Sequence, residues 1–183
     1  MDIDASDKAA RFARTCDVFN IPVISLADVP GFVPGVGQEH GGIVRHGAKM
    51  LHAWTEITVP KICCILRKMY GGGIPAMGVH QIGFDQVFAW PTAEMQMIGA
   101  EPSVKILYRR ELDAAEDPAA FLNQKIEEYE NLFLTPYHSA SLSVIDAVIH
   151  PKDTRKRIIS ALEILENKVV EKRPFRKHTN IPL

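Results

Sequence analysis

The chain has 183 residues, 46% of them apolar and 23% charged, with a formal net charge of −1. That length suits one domain able to bury a core, and the balance excludes a disordered polyelectrolyte. No overall basic field points to nucleic acid, and no apolar run approaches the roughly 18 residues needed to cross a bilayer, so neither a nucleic-acid nor a membrane partner is expected.

Three cysteines, two of them adjacent at Cys63 and Cys64, make no disulfide framework. They read as small core residues in a reduced, cytosol-like compartment. The acidic, polar opening (residues 1–6) does not have the pattern of a secretory signal.

In chain order, Ser6 is the candidate cap of a helix reaching about Asn20, with Ala9, Phe12, Ala13, Cys16 and Phe19 on its apolar face. Asn20 and Pro22 stop it, and residues 23–27 read as a strand that ends at Asp28. Residues 29–37 hold two Pro-Gly-type turns. The apolar Phe32, Val33 and Val36 in this loop are either core plugs or part of a ligand or subunit contact. A helix is expected from about Gly41 to Thr58, with Gly47, Trp54 and Ile57 on its buried face. Glu39, His40, Arg45 and His46 read as solvated or interface residues. Arg45 and His46 point about 100° apart on a helix, and no metal-binding spacing is present, so no metal site is expected.

Residues 62–66 are an apolar run that reads as a buried strand, and Gly71-Gly72-Gly73 follows shortly after. Helix alternating with strand is the signature of an α/β fold with parallel strands. The glycine triplet has two readings. It is a tight turn that needs small residues, or a strand-to-helix turn whose bare N–H groups stabilise an oxyanion.

Residues 85–91 read as a further strand. Thr92 could cap a turn opening a Met-rich segment that ends at Gly99. One helix is expected over 100–116 with Val104, Leu107 and Leu112 inward, and another from Pro118 to about Phe133 after Asp117. Residues 144–149 read as a strand. Asp153 or Thr154 starts a last helix with Ile158, Leu162, Leu165 and Val169 as its stripe, and the basic residues 171–178 form an extended arm.

The loops 28–37 and 69–75 fall at the C-terminal ends of neighbouring strands, where open parallel sheets bind ligands. The chain has no G-x-S-x-G elbow, Walker lysine pattern or C-x-x-C. An enzyme lacking them needs backbone donors to hold developing negative charge, as on an enolate or a ureido oxygen.

Long motifs then become specific. Asp28-Val29-Pro30-Gly31-Phe32-Val33-Pro34-Gly35, Gln38-Glu39-His40-Gly41-Gly42 with the helix entry to Lys49, and Arg67-Lys68-Met69-Tyr70-Gly71-Gly72-Gly73 are three of them. Phe88-Ala89-Trp90-Pro91-Thr92-Ala93-Glu94, Arg109-Arg110-Glu111-Leu112 and residues 176–182 complete the set. Together they resemble the carboxyltransferase β subunit of biotin-dependent acyl-CoA carboxylases, of the propionyl-CoA and acetyl-CoA type.

The resemblance implies an α/β, crotonase-like (ClpP/crotonase) fold, a ββα superhelix. It implies that residues 1–183 form most of the second of the family's two domains, with its opening strands and the acyl-CoA-binding first domain absent. It implies transfer of CO2 from carboxybiotin to the α-carbon of a short-chain acyl-CoA, with this domain on the biotin side. The N–H groups of Gly72 and Gly73 would hold the ureido oxygen, and Phe32, Val33, Tyr70, Ile74 and Pro75 would wall the pocket. Biotin and coenzyme A would be the cofactors. The partners would be a biotin carboxylase, a biotin carboxyl carrier and further copies in a hexamer, in the cytoplasm or a mitochondrial matrix. The chain alone is expected to be inactive. Many members carry Gly-Ala-Tyr where this chain has Gly72-Gly73-Ile74, and Pro75 stands where a residue tunes acyl choice, so the acyl group stays open. A biotin-dependent acyl-CoA decarboxylase subunit and a non-catalytic assembly module are the alternatives.

Overall fold

A computed structural model describes residues 1–170 and 178. Helix α1 (Ile3–Val18) is capped by Asp2, whose carboxylate accepts the Ala5 N–H at 2.8 Å. Ser6, the expected cap, lies one turn further in, buried, with its hydroxyl on the Asp2 carbonyl. The expected apolar face is also rotated. Ala10, Ala13, Cys16 and Asp17 point inward, while Phe12 and Phe19 are exposed. Small residues at the contact let α1 lie close against α3 (Ile43–Glu56), and bulky rings fall outside it.

Strand β1 (Val23–Val29) runs parallel to β2 (Lys61–Tyr70), in register from Val23 against Lys61 to Ala27 against Ile65. A bulge follows at Asp28, and Val29 then faces Met69. The Asp28 carboxylate accepts the Lys68 N–H at 3.1 Å, and this bond, with Arg67 beside it, holds the carboxyl below its ordinary range. A short α2 (Val36–Gly41), taken in the sequence as loop and helix entry, precedes α3.

Beyond residue 66, β2 continues to the glycines because it finds two successive partners. Its first half pairs with β3 (Gln86–Ala89), and its last residues, Lys68 to Tyr70, pair with β4 (Glu94–Gln96). The Met-rich segment is thus partly a strand. The sheet order is β1-β2-β3-β5, with β4 also on β2 and every pairing parallel.

The core has two faces. Ala13, Met50, Trp54, Cys63, Ile65 and Met69 pack on the side of α1 and α3. Ile62, Cys64 and Phe88 pack under α9 (Thr154–Ile164) through Ala161. Burial pushes the Cys63 thiol up to about 12 and Cys64 up to about 11, so both behave as small apolar residues.

Three further expectations change. The helix over 100–116 is two, α5 (Ala100–Leu107) and α6 (Arg109–Ala114), meeting at Tyr108 and leaving Leu107 exposed. Helix α7 (Pro118–Phe133) starts as expected, with Asp117 accepting from the N–H groups of Ala119 and Ala120. After α8 (Pro136–Ser141), only Ala147–Val148 of the expected strand pair as β5, because β3 is itself only four residues long. Val169 is exposed, since α9 ends at Ile164. The expected arm, apart from His178, and nearly all of the closing motif 176–182 lie outside the described residues.

Lys61 carries a testable charge. Its Nζ is buried and donates to the Trp54 carbonyl at 2.7 Å. Burial, helped by the nearby Lys168 charge and opposed by Asp85 and Asp17, lowers it from 10.5 to about 8. Below pH 8 folded and unfolded chains both hold the proton, and the buried charge costs about 3 kcal/mol. Between about 8 and 10.5 the folded chain releases the proton first, so stability rises with pH. The urea midpoint is expected to climb from pH 8 to pH 9 relative to Lys61→Met. Parallel pH curves for the two proteins would contradict this assignment.

Candidate active site

The glycine turn joins the end of β2 to α4 (Gly73–Met77). Gly71 adopts φ +51° and donates its N–H to the Gln96 carbonyl at 2.8 Å, so the end of β4 pins the turn. A side chain there would be strained and would sit 3.1 Å from the Met97 carbonyl. From below, α3 fixes α4 through a buried 2.9 Å bond from the Trp54 indole to the Ala76 carbonyl.

Gly72 caps α4 with φ −61° and ψ −16°. Among the described residues, neither the Gly72 nor the Gly73 N–H donates a backbone hydrogen bond. Two bare donors at a helix start attract negative charge. Gly73 is buried against the first loop. A Cβ on it would lie 2.8 Å from Val29 Cγ1 and 3.5 Å from the Gly31 nitrogen. Close approach of the two loops therefore requires glycine at position 73.

Beside the turn is an apolar cavity of about 430 Å³, within the range of small-ligand sites. Four expected site residues meet there: Phe32, Val33, Gly72 and Pro75. The other three do not line it. Gly73 lies beneath the turn, Ile74 packs against the main core, and Tyr70 donates its hydroxyl to Glu94 across the β2–β4 pair. Burial, then the bond to Glu94 and its charge, raises the Tyr70 phenol far above its ordinary value, so it remains a neutral donor.

Sequence reading missed other walls. Ile43, Val44, Gly47, Ala48 and Leu51 of α3 line the same cavity, with Glu39 at its side. A glycine inside an amphipathic helix was the available signal. His46, read as solvated or interfacial, is instead buried, its Nδ1 2.8 Å from the Asp7 carboxylate, and so braces α3 against α1. His40 is exposed. No group of three His, Cys, Asp or Glu among the described residues could hold a metal ion. No helix among them is long and apolar enough to cross a membrane.

The carboxyl transferase domain profile matches residues 1–181. The chain belongs to the carboxyl transferase domain family. It is 54% identical over 182 residues to the methylmalonyl-CoA carboxyltransferase 12S subunit of Propionibacterium freudenreichii subsp. shermanii, covering all of this chain and 34% of that protein. It is 52% identical to the methylmalonyl-CoA decarboxylase subunit alpha of Propionigenium modestum, covering 35% of it. The propionyl-CoA carboxylase carboxyltransferase subunit of Haloferax mediterranei is 51% identical, again with 35% covered. The chain thus spans about a third of the length of these relatives.

A transcarboxylase 12S structure, a hexamer assembly with methylmalonyl-CoA and methylmalonic acid bound, superimposes with a TM-score of 0.94 at 54% identity, covering all of this chain and 35% of that one. The β subunit of P. aeruginosa geranyl-CoA carboxylase matches at a TM-score of 0.79 and 26% identity, over 98% of this chain and 34% of that one. The expected crotonase-like α/β fold is borne out in this carboxyl transferase domain, with its parallel sheet and helical cover.

Proposed function

We propose that this carboxyl transferase domain forms the biotin side of an acyl-CoA carboxyltransferase, acting as one C-terminal crotonase-like domain over residues 1–183. The observation that carries the reading is the turn itself: among the described residues neither the Gly72 nor the Gly73 N–H donates a backbone hydrogen bond, and Gly72 lines an apolar cavity. The donor set fits a ureido oxygen, which accepts hydrogen bonds, while the cavity suits the apolar remainder of biotin.

Carboxybiotin, brought on a carrier protein, would supply the CO2, and a short-chain acyl-CoA would receive it at its α-carbon. The N–H groups of Gly72 and Gly73 would hold the ureido oxygen and would favour negative charge on it. Phe32 and Pro75, both half-buried, would wall it on the apolar side. No side chain of the turn need titrate, in keeping with a site built from glycines. The acyl-CoA half of the site, a biotin carboxylase and carrier, and a hexameric assembly are the partners this reading requires. A soluble cytoplasmic or matrix setting accords with it.

A second reading has its own support: two relatives, at 52% and 48% identity, are named methylmalonyl-CoA decarboxylase subunits. The same donors would then serve the reverse direction, taking CO2 from a dicarboxylic acyl-CoA. The test is a chimera in which this chain replaces the matching third of the 12S subunit. ATP-independent exchange of a carboxyl group between carboxylated carrier and propionyl-CoA or acetyl-CoA is expected. Carrier-dependent loss of CO2 from methylmalonyl-CoA without acyl carboxylation selects the decarboxylase. A folded, assembled chimera inactive in both assays rejects both readings.

A further inference from the structure

A glycine in the middle of α3 has no local reason to be there. Gly47 is helical and lacks the positive φ that would demand glycine, and alanine ordinarily favours a helix. The reason lies across the cavity. A Cβ on Gly47 would stand 3.0 Å from Cζ and 3.1 Å from Cε1 of the Phe32 ring. A Cβ on Gly72 would stand 2.7 Å from Cδ2 and 2.8 Å from Cε2 of the same ring. The ring occupies a slot with a glycine on two sides, one from α3 and one from the catalytic turn.

We propose that Gly47 is a positioning residue: it admits the Phe32 ring deeply enough to rest on Gly72, and the ring then sets the cavity floor and the direction of the Gly72 N–H. The inference rests on the reading of Gly72 as a donor to substrate. Its physical content is narrower than that reading. Interiors are close-packed, so a ring held at contact on two sides cannot shift from one without pressing on the other. A methyl group at position 47 drives the ring toward Gly72 and into the cavity. The helix carries a destabilising glycine so that the loop and the turn meet through one aromatic ring.

The experiment is Gly47→Ala in the full chain, read by urea unfolding and by the amide and α-proton resonances of Gly72. Alanine in a helix should raise the urea midpoint; here the midpoint is expected to fall. The Gly72 resonances, which sense the Phe32 ring current, are expected to move because the three atoms nearest a Cβ at residue 47 all belong to that ring. Adding Phe32→Leu to Gly47→Ala is expected to restore the midpoint, since the slot then holds a smaller side chain. A midpoint at or above wild type, unmoved Gly72 resonances, or no rescue by leucine would each overturn the proposal. Biotin methyl ester, titrated into wild type and followed at Gly72, tests the donor reading separately. A wild-type chain that ignores this probe while Gly47→Ala still moves Gly72 supports the slot and sinks the donor reading.

Discussion

Gly72→Pro should lower kcat of the 12S chimera about 10²- to 10³-fold below the level left by Gly72→Ala. Removing one oxyanion donor costs about 3–4 kcal/mol of transition-state stabilisation. The comparison of two variants matters because any side chain at this position meets the Phe32 ring, 2.7 Å from where a Cβ would sit. Alanine and proline share that steric insult. Only proline also removes the N–H. Its ring closure adds no backbone strain at residue 72, where φ is already −61°. The preceding residue is glycine at φ +51°, so the clash of a proline ring with a preceding Cβ is absent, while that with the Gly71 N–H remains and is checked by an unchanged urea midpoint. The loss should fall on kcat rather than on KM, because a developing charge exists only on the reaction path. Equal losses for alanine and proline would show that shape, and not a hydrogen bond, is what the turn supplies.

That outcome bears on how much of the site could be read from residue types. The glycine triplet, the Pro-Gly loop and their placement at adjoining strand ends were legible because each is a local signal. Glycine and proline fix backbone shape within a few residues, and parallel strands set where the loops emerge. Phe32, Val33 and Pro75 do meet Gly72 at one cavity. What local signals cannot carry is orientation across elements. Tyr70 follows the pleat of β2 to the β4 side and bonds Glu94, so sequence proximity to the turn does not bring it into the cavity. Phe12 and Phe19 have the right spacing for a buried stripe, yet α1 turns its alanines inward because α3 lies so close. The same closeness makes a partner of His46, whose ring meets Asp7 from 39 residues away. Strand β4 was missed for a related reason. Three residues pair there only because β3 has already left the end of β2.

Asp17 is the clearest case of a residue whose weight is invisible in sequence, and its replacement should have the largest effect on stability. It ends α1, is fully buried, and its Oδ1 accepts from the Thr58 N–H at 2.6 Å, the Val59 N–H at 3.0 Å and the Thr58 hydroxyl at 3.1 Å. Its Oδ2 lies 3.2 Å from His178 Nε2. One carboxylate therefore satisfies two backbone donors on the segment leading into β2. Asp17→Ala strips those donors of their acceptor, one of them on the buried Val59, and a loss of about 3–5 kcal/mol is expected. Asp17→Asn keeps an oxygen for the two N–H groups but gives up the charge, so a loss of about 1–2 kcal/mol is expected. Urea titration with an unchanged m-value is the measurement. The segment held by Asp17 leads into the strand that ends at Tyr70, next to Gly71. An alanine variant that still folds should therefore loosen the far end of β2 as well, seen as faster amide exchange of Gly71, whose N–H is tied to Gln96. If Asp17→Ala lies within about 1 kcal/mol of wild type, the carboxylate is not the anchor that its three accepted bonds imply.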